Sequence, residues 1–537
     1  MYILGISGGV LAGNQDASAC LLRDGEVVAA AEEERLLGIK HANAQLPRRA
    51  IRACLDQAGI EIHDIAAVGA PGRTYRDWQR ILTDYFKFHF GHVPPIHVYD
   101  HHTAHAASAY HYSGHDDALV LTMDFSGDRT CTALYRGRGE SLNEVTRVGR
   151  PNSLGVFYAM MTQYLGFGKD DEEYKVMGLA SFGEPKYDLS DILKVDGDGY
   201  ALNLDYVKLG DAERPAPSKQ EALFRDLPLP EPHRLRGTPV RQYHKDVAAS
   251  AQHALEEAVL HLLARATANE PRRLDLCLAG GVALNCVLNQ KIRAAGLFNR
   301  VFVPPHASDA GLALGCAALL GLELGAARPQ RITHCRWGPS YGDAQIERVL
   351  RTCAVPYARP ADLCATVVED LAAGRVVGWF QGPMEFGPRA LGGRSILADC
   401  RNPEMQQRVN VAVKFREGFR PFAPSILAER AGDYLVDATP SPFMTMTFDV
   451  RPDRHSQVPA VTHVDGTARA QTVDESQNPL YHRLLREMEA QTSVPVLLNT
   501  SMNVNSQPIV DDPRRALALF YSTGLAGMAL GSFYLRK

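Results

Sequence analysis

A chain of 537 residues is too long for one hydrophobic core, so two domains are expected. Apolar residues make up 45%, charged residues 22%, and the formal net charge is -4, which gives no support to nucleic acid or a membrane as the main partner. The start, Met1 to Ile6, lacks the basic region of a signal peptide, no stretch reaches the ~20 apolar residues of a spanning helix, and the ten cysteines include no C-x-x-C pair, so a reducing cytoplasm is the expected setting.

In chain order, residues 2–7, 17–23 and 26–33 read as three antiparallel strands, with Asp24-Gly25 as a tight hairpin turn. A helix is expected over 47–58, ended by Gly59, then strands over 64–69 and 95–99. The opening pattern then restarts, with a strand over 118–124, a loop Phe125-Ser126-Gly127-Asp128, a return strand over 131–135 and turn material at Gly137-Arg138-Gly139. Residues 186–245 carry Glu213-Arg214-Pro215-Ala216-Pro217 and the Pro-rich 227–232 without periodicity, which predicts an irregular insertion or cover. An amphipathic helix follows over 246–269. Next comes a buried strand, 274–279, running into Gly280-Gly281 and a helix, a turn whose backbone N–H groups can hold a phosphate. A domain boundary is expected within 324–342, followed by helices over 344–353 and 362–373 and a strand over 376–380.

Two clusters carry chemistry. His101-His102-Thr103-Ala104-His105 opens a helix, and His101 and His105, at i and i+4, leave the same face and can share one metal ion. Asp124 closes one strand, and Asp309 follows the strand-like 301–305. Two His and two Asp form a mixed nitrogen and oxygen donor set suited to iron, manganese or zinc. In the C-terminal part, residues 385–395 and 413–425 hold Arg389, Arg394, Lys414, Arg416 and Arg420 among glycines, prolines and aromatics. Arg469 and the run Asn499-Thr500-Ser501 come later. Arginine forks bind phosphate bidentately, and glycines let a ligand approach the backbone.

Two copies of a strand–loop–strand unit are the mark of the duplicated ribonuclease-H-like fold of actin, sugar kinases and heat-shock chaperones. More specifically, the chain resembles the O-carbamoyltransferase family of nodulation protein U and the tobramycin, cephamycin and novobiocin carbamoyltransferases. The matching segments include Asp16 to Ala19, Ala31 to Arg35, His101 to Tyr110 and Tyr174 to Ala180. They continue with Ala279 to Asn285, Val303 to Pro305 with Asp309, Gly387 to Ser395, Lys414, Arg420 to Ser425, and Asn499 to Ser501.

The resemblance implies an α/β protein with two catalytic parts. Residues 1–340 would form a duplicated ribonuclease-H-like transfer domain, and residues 341–537 a domain similar to threonylcarbamoyl-adenylate synthases. The second would make carbamoyl-adenylate from carbamoyl phosphate and ATP with Mg(2+), with Arg389, Arg394, Lys414 and Arg420 holding phosphates and carbamate, and Arg469, Asn499 and Ser501 nearby. The first would bind iron(II) through His101, His105, Asp124 and Asp309, and nucleotide through Gly280, Gly281 and Asn285, with Lys175 helping. The acceptor would be a hydroxyl of a small molecule of the natural-product or antibiotic kind, with no nucleic acid or membrane partner, and a homodimer is compatible with the family.

One departure stands out. Family members usually carry His directly before the Asp-Ala segment, a base for the acceptor hydroxyl, whereas this chain has Gln15, a neutral amide that can only hydrogen-bond. His41 is the alternative base. Two other readings compete. A tRNA threonylcarbamoyl-type enzyme is disfavoured by the mild acidity, and a non-catalytic kinase-like or chaperone-like nucleotide-binding protein leaves the His/Asp set unexplained.

Overall fold

The computed structural model describes every residue except 12, 169–171, 198 and 209–221. The chain forms two compact units. Unit 1 comprises Met1–Val68, His89–Pro95 and Ile332–Lys537; unit 2 comprises Gly69–Phe88 and Ile96–Arg331. The units cut the chain near the expected boundary, at 331/332, and group the first 68 residues with the C-terminal part rather than with the rest of 1–340.

In unit 1, β1 (Tyr2–Ser7), β2 (Ser18–Arg23) and β3 (Glu26–Glu32) form an antiparallel meander. Asp24 and Gly25 both take positive φ (53° and 88°), as a two-residue turn matching the strand twist requires. The sheet order is β3-β2-β1-β4, with the unit boundary inside β4 (Ile65–Pro71). The helix Arg48–Ala58 buries Ala50, Ile51, Cys54 and Leu55 and lies on β2 and β3.

In unit 2, β5 (Asp117–Gly127), β6 (Thr130–Arg138) and β7 (Ser141–Gly149) repeat the meander. β8 (Asp275–Ala279) pairs in parallel with β5, and β9 (Val301–Phe302) with β8, giving the order β7-β6-β5-β8-β9. Each copy has three antiparallel strands in reversed spatial order, followed by a strand reached through a crossover. This is the duplicated ribonuclease-H-like arrangement, with one copy of its strand pattern in each unit.

The rest of unit 1 holds a seven-stranded mixed sheet of β10 (Val377–Phe380), β11 (Arg394–Asp399), β12 (Ala423–Leu427), β13 (Gln471–Val473), β14 (Val496–Ser501), β15 (Gly527–Leu530) and β16 (Phe533–Arg536). Its order is β13-β12-β14-β11-β10-β15-β16. Helices Leu363–Ala372 and Pro479–Thr492 bury Cys364, Val367, Leu371, Tyr481 and Leu485 with Trp379 and Leu497 of the sheet. Each such side chain contributes about 1.5–3 kcal/mol by leaving water. The fold class is α/β throughout.

Several local expectations change. Phe125 to Gly127 extend β5 instead of forming a loop, because a register shift after Met123 lets the ladder resume at Gly127 opposite Thr130. The turn moves to Asp128 and Arg129, both at positive φ. Gly137 and Arg138 stay in β6, opposite Ala118 and Asp117, leaving Gly139 to turn the chain. Between 186 and 245, the described residues hold one short hairpin, Leu193–Asp196 with Gly199–Leu202, and the long helix starts early, at Gln242. The Glu213 to Pro217 run lies outside the described residues. After Gly280, a 3-10 turn, Gly281–Leu284, precedes the helix Cys286–Ala294. No helix among the described residues is long and apolar enough to cross a membrane. None of the ten cysteines forms a disulfide, and all but Cys353 are buried.

Candidate active site

In unit 2 the helix His101–Tyr110 is capped by Asp100, whose carboxylate accepts from the Thr103 N–H at 3.0 Å and from Arg147 at 2.9 Å. Asp128, just past β5, accepts the His101 N–H at 2.8 Å and also ties down the backbone N–H groups of Arg73 and Thr74. The first helical turn is therefore fixed from outside as well as by its cap. It presents His101 and His105 side by side, their rings 4.7 Å apart. Asp124 Oδ2 lies 3.0 Å from His101 Nε2 and 3.3 Å from His105 Nε2. Asp309, at the turn leading into the helix Leu312–Glu323, places Oδ1 3.5 and 3.2 Å from the same two atoms.

All four expected ligands thus converge, with one donor atom from each within 4.8 Å of the others. Donors about 2.0–2.2 Å from a shared ion lie roughly 3–3.5 Å apart, so the set fits a divalent cation. The electrostatics point the same way. Burial and the neighbouring Asp124 charge raise the Asp309 carboxyl above its ordinary range. Burial disfavours the imidazolium at His105, but its hydrogen bonds to the Asp124 and Asp309 carboxylates and the attraction of their charges outweigh this and push the ring up to about 9. Two close carboxylates therefore call for positive charge between them, which protons or a metal can supply. His102 is different: burial pushes it down to about 3, and its Nδ1 meets Thr122 Oγ1 at 2.8 Å.

Two glycines set this geometry by close approach. A Cβ on Gly127 would sit 2.1 Å from the His101 ring, and one on Gly280 2.1 Å from the Met123 carbonyl oxygen. Gly281 donates its N–H to Asp124 Oδ1 at 3.3 Å, so the double-glycine turn borders the carboxylate that the histidines share. Asn285 caps the helix Cys286–Ala294 through the Leu288 N–H and bonds Gln252 at 2.8 Å. Lys175 is buried and pairs with Glu172 at 2.6 Å. Gln252, Asp128 and Glu172 were not singled out from the sequence; only the Phe-Ser-Gly-Asp run hinted at Asp128.

In unit 1, Lys414 ends a π-helical turn, Asn410–Lys414, a form often found at functional sites. Its buried Nζ donates to the carbonyls of Ser501 and Asn503, both at 2.8 Å, to Asn503 Oδ1 at 2.6 Å and to Ser501 Oγ at 3.2 Å. Burial, with Arg416, Arg420 and Lys40 nearby, pulls its pKa well below the usual lysine range. An anion bound here would relieve that concentration of positive charge. Arg420 is mostly buried, 3.8 Å from Glu417 and 3.4 Å from Asn505. Arg389 and Arg469 are half-buried. Asn503 is a partner that the sequence reading left unassigned.

Two expected binding residues have other tasks. Arg394 is fully buried, its Nη atoms donate to the carbonyls of Gln381, Gly382, Gly393 and Pro339, and it stacks 3.6 Å over the Phe380 ring. Asn499 donates to the Ala390 carbonyl, Ser425 and Gln471. Both hold the loop and sheet around the cluster.

Asp16, next to Gln15 in sequence, meets His41 in unit 1. The Asp16 N–H donates to the His41 carbonyl at 2.8 Å, and His41 Nδ1 lies 2.7 Å from Asp16 Oδ1. The His41 N–H donates to Glu34 at 2.7 Å. His41 sits at φ +62° and Asp16 at φ +53°, a strained loop held by these contacts. Gln15, the sequence neighbour of Asp16, is half-buried.

Residues 66–318 match the family model of the carbamoyltransferase N-terminus, and residues 368–537 that of the carbamoyltransferase C-terminus. The chain is 39% identical to nodulation protein NolNO of Sinorhizobium fredii, across 100% of this chain and 83% of that protein. It is 41% identical to nodulation protein NolO of Bradyrhizobium diazoefficiens, across 82% and 79%. It is 38% identical to the uncharacterized protein sll1178 of Synechocystis sp., across 100% and 97%. With both family models matched and relatives of 39% and 41% identity covering 100% and 82% of the chain, this protein belongs to the carbamoyltransferase family and is a carbamoyl-transferring enzyme.

Proposed function

We propose that the protein is an ATP-dependent O-carbamoyltransferase that works in two half-reactions. The observation that carries this is the presence of two side-chain clusters of different chemistry. One is the mixed His/Asp donor set of unit 2, and the other the cationic cluster around buried Lys414 in unit 1.

Residues 341–537 make carbamoyl-adenylate. Carbamoyl phosphate gives up phosphate to water, an oxygen of the resulting carbamate attacks the α-phosphorus of ATP, and pyrophosphate leaves. Lys414 and Arg420 hold the phosphate charge, and Arg389 and Arg469 supply forks for the outer oxygens, with Ser501 fixing the Lys414 ammonium. Adenylation gives a poorly electrophilic carbamoyl carbon a good leaving group.

Residues 1–340 carry the transfer. The acceptor hydroxyl of a small molecule forms the carbamate ester, AMP leaves, and one proton is released. His101, His105, Asp124 and Asp309 would hold a divalent metal, iron(II) by family likeness, which would polarise the carbonyl and balance phosphate charge. The Gly280–Gly281 turn borders this set and offers backbone N–H groups to a nucleotide phosphate. Gln15 orients the acceptor, and His41, held by Asp16, is the imidazole that can take its proton.

The test is pyrophosphate release by the purified protein with ATP and carbamoyl phosphate, together with metal analysis. Release that requires both co-substrates, with about one divalent ion per chain, is the expected result. Release from ATP alone, or none in a folded protein, contradicts it.

A further inference from the structure

Arg389 lies on the loop from Glu385 to Arg394, and the structure fixes that loop at both ends. At its far end the fully buried Glu385 carboxylate gathers backbone N–H groups: Oε1 accepts from Leu391 at 2.7 Å, Gly393 at 2.6 Å and Arg394 at 3.2 Å. At its near end the holders come from a segment about 350 residues earlier in the chain. The Arg35 guanidinium, 1% exposed, donates from Nη1 to the Glu385 carbonyl and from Nη2 to the Gly387 carbonyl. Arg35 Nε lies 2.7 Å from Glu32 Oε2, and Glu32 Oε1 accepts the Gly387 N–H at 2.8 Å. Gly387 itself sits at φ +114°. One carboxylate and one guanidinium thus grip both the N–H and the C=O of Gly387, and between Gly387 and Gly393 the only charged side chain is Arg389.

A buried ion pair is a poor device for stability alone, because desolvation offsets most of its attraction. It is a good device for fixing a backbone, since a planar guanidinium oriented by its partner carboxylate presents two parallel donors at set positions. We propose that Glu32 and Arg35 are positioning residues of the adenylate-forming half-reaction. They hold the Gly387 end of the loop so that Arg389 meets the phosphate of its substrate. This rests on the reading of the cationic cluster as the adenylate-forming site. It assigns a role in that step to a segment belonging to the first 35 residues, far from the C-terminal part in sequence.

The experiment is a double-mutant cycle on pyrophosphate release with ATP and carbamoyl phosphate, using the full chain. Arg35→Lys keeps the charge and loses the two-pronged grip. A misplacement of about 1 Å costs on the order of 10²-fold, so Arg35→Lys should lower kcat/KM by about 10- to 100-fold. In an Arg389→Ala background the same substitution should cost less than about 2-fold, because its effect runs through Arg389. A purely structural role would give equal losses in both backgrounds, and that result overturns the proposal while leaving the adenylation reading intact. Absence of pyrophosphate release from the wild-type protein overturns the reading and the proposal together. If Arg35→Lys fails to fold, Glu32→Gln is taken through the same cycle with the same criteria. It keeps an acceptor for the Gly387 N–H and removes the charge that orients Arg35.

Discussion

The His/Asp cluster of unit 2 and the cationic cluster of unit 1 are built in opposite ways. The first uses short-range rules for its histidines: one helical turn brings His101 beside His105, while β5, at its register shift, and a helix entry bring Asp124 and Asp309. Its four functional atoms face one another. The second is assembled from loops and a π-helical turn, and much of its charge is spent inside the protein. Arg394 is used up by four carbonyls, and Lys414 by four oxygens of Ser501 and Asn503. A donor set aimed at a common point suits a metal. A partly self-satisfied set of cations suits anions that arrive and leave, because displacing an internal acceptor offsets part of the binding energy.

The contrast can be broken most severely at Lys414. Lys414→Ala should lower carbamoyl-phosphate-dependent pyrophosphate release by about 10²–10³-fold, the usual loss for one preorganised donor to developing charge. Metal content should stay at the wild-type level, and a fall in metal content would show that the two clusters are not separate in function.

Gly127→Ala attacks the other cluster through sterics alone. The added Cβ needs the space of the His101 ring, so the ring must move. Overpacking of this kind costs about 1–3 kcal/mol, and the shifted imidazole should reduce metal occupancy while pyrophosphate release persists. Metal analysis with the pyrophosphate assay reads both, and full occupancy would remove His101 from the ligand set.

Legibility follows the same divide. The bounds of β1 and the i,i+4 histidines come from local periodicity, which a sequence displays, whereas the joining of Asp124 and Asp309 to those histidines comes with the family resemblance. The task of Arg394 could not be read because its partners are carbonyl oxygens, which every residue has. The Asp16–His41 contact was hidden because it depends on two residues at positive φ, 25 positions apart. The Phe125 to Gly127 extension of β5 is not legible because a glycine that lets a strand pass a histidine ring looks, in sequence, like a glycine that turns a chain. Grouping residues 1–68 with 332–537 depends on contacts such as Arg35 with Gly387, which no local pattern announces.

Gln15 sharpens the comparison more gently. An amide that only orients the acceptor should give a few-fold loss on Gln15→Ala in single-turnover transfer from preformed carbamoyl-adenylate. Loss of a general base costs about 10²–10⁴-fold. A loss of that size in His41→Ala would make His41 the base, and no loss in either variant would remove both roles.

Glu32 gives the smallest effect, on stability against pH. Burial raises its carboxyl to about 7, against the attraction of Arg35, from an ordinary value near 4.5. The folded state therefore binds this proton more tightly than the unfolded chain. The contribution of the group is greatest below about pH 4.5 and is lost as pH rises through about 7. Glu32→Gln cannot titrate, so the difference in Tm between it and the wild type should shift in favour of the variant between pH 5 and pH 8. A constant difference would mean that Glu32 keeps an ordinary carboxyl.

The most direct test of separate half-reactions is His105→Ala, supplied with ATP, radiolabelled carbamoyl phosphate and acceptor. The protein should still release pyrophosphate at close to the wild-type rate and accumulate labelled carbamoyl-adenylate, with no labelled carbamate ester. Loss of pyrophosphate release in a folded His105→Ala protein that still binds ATP would contradict the division of labour between the two clusters.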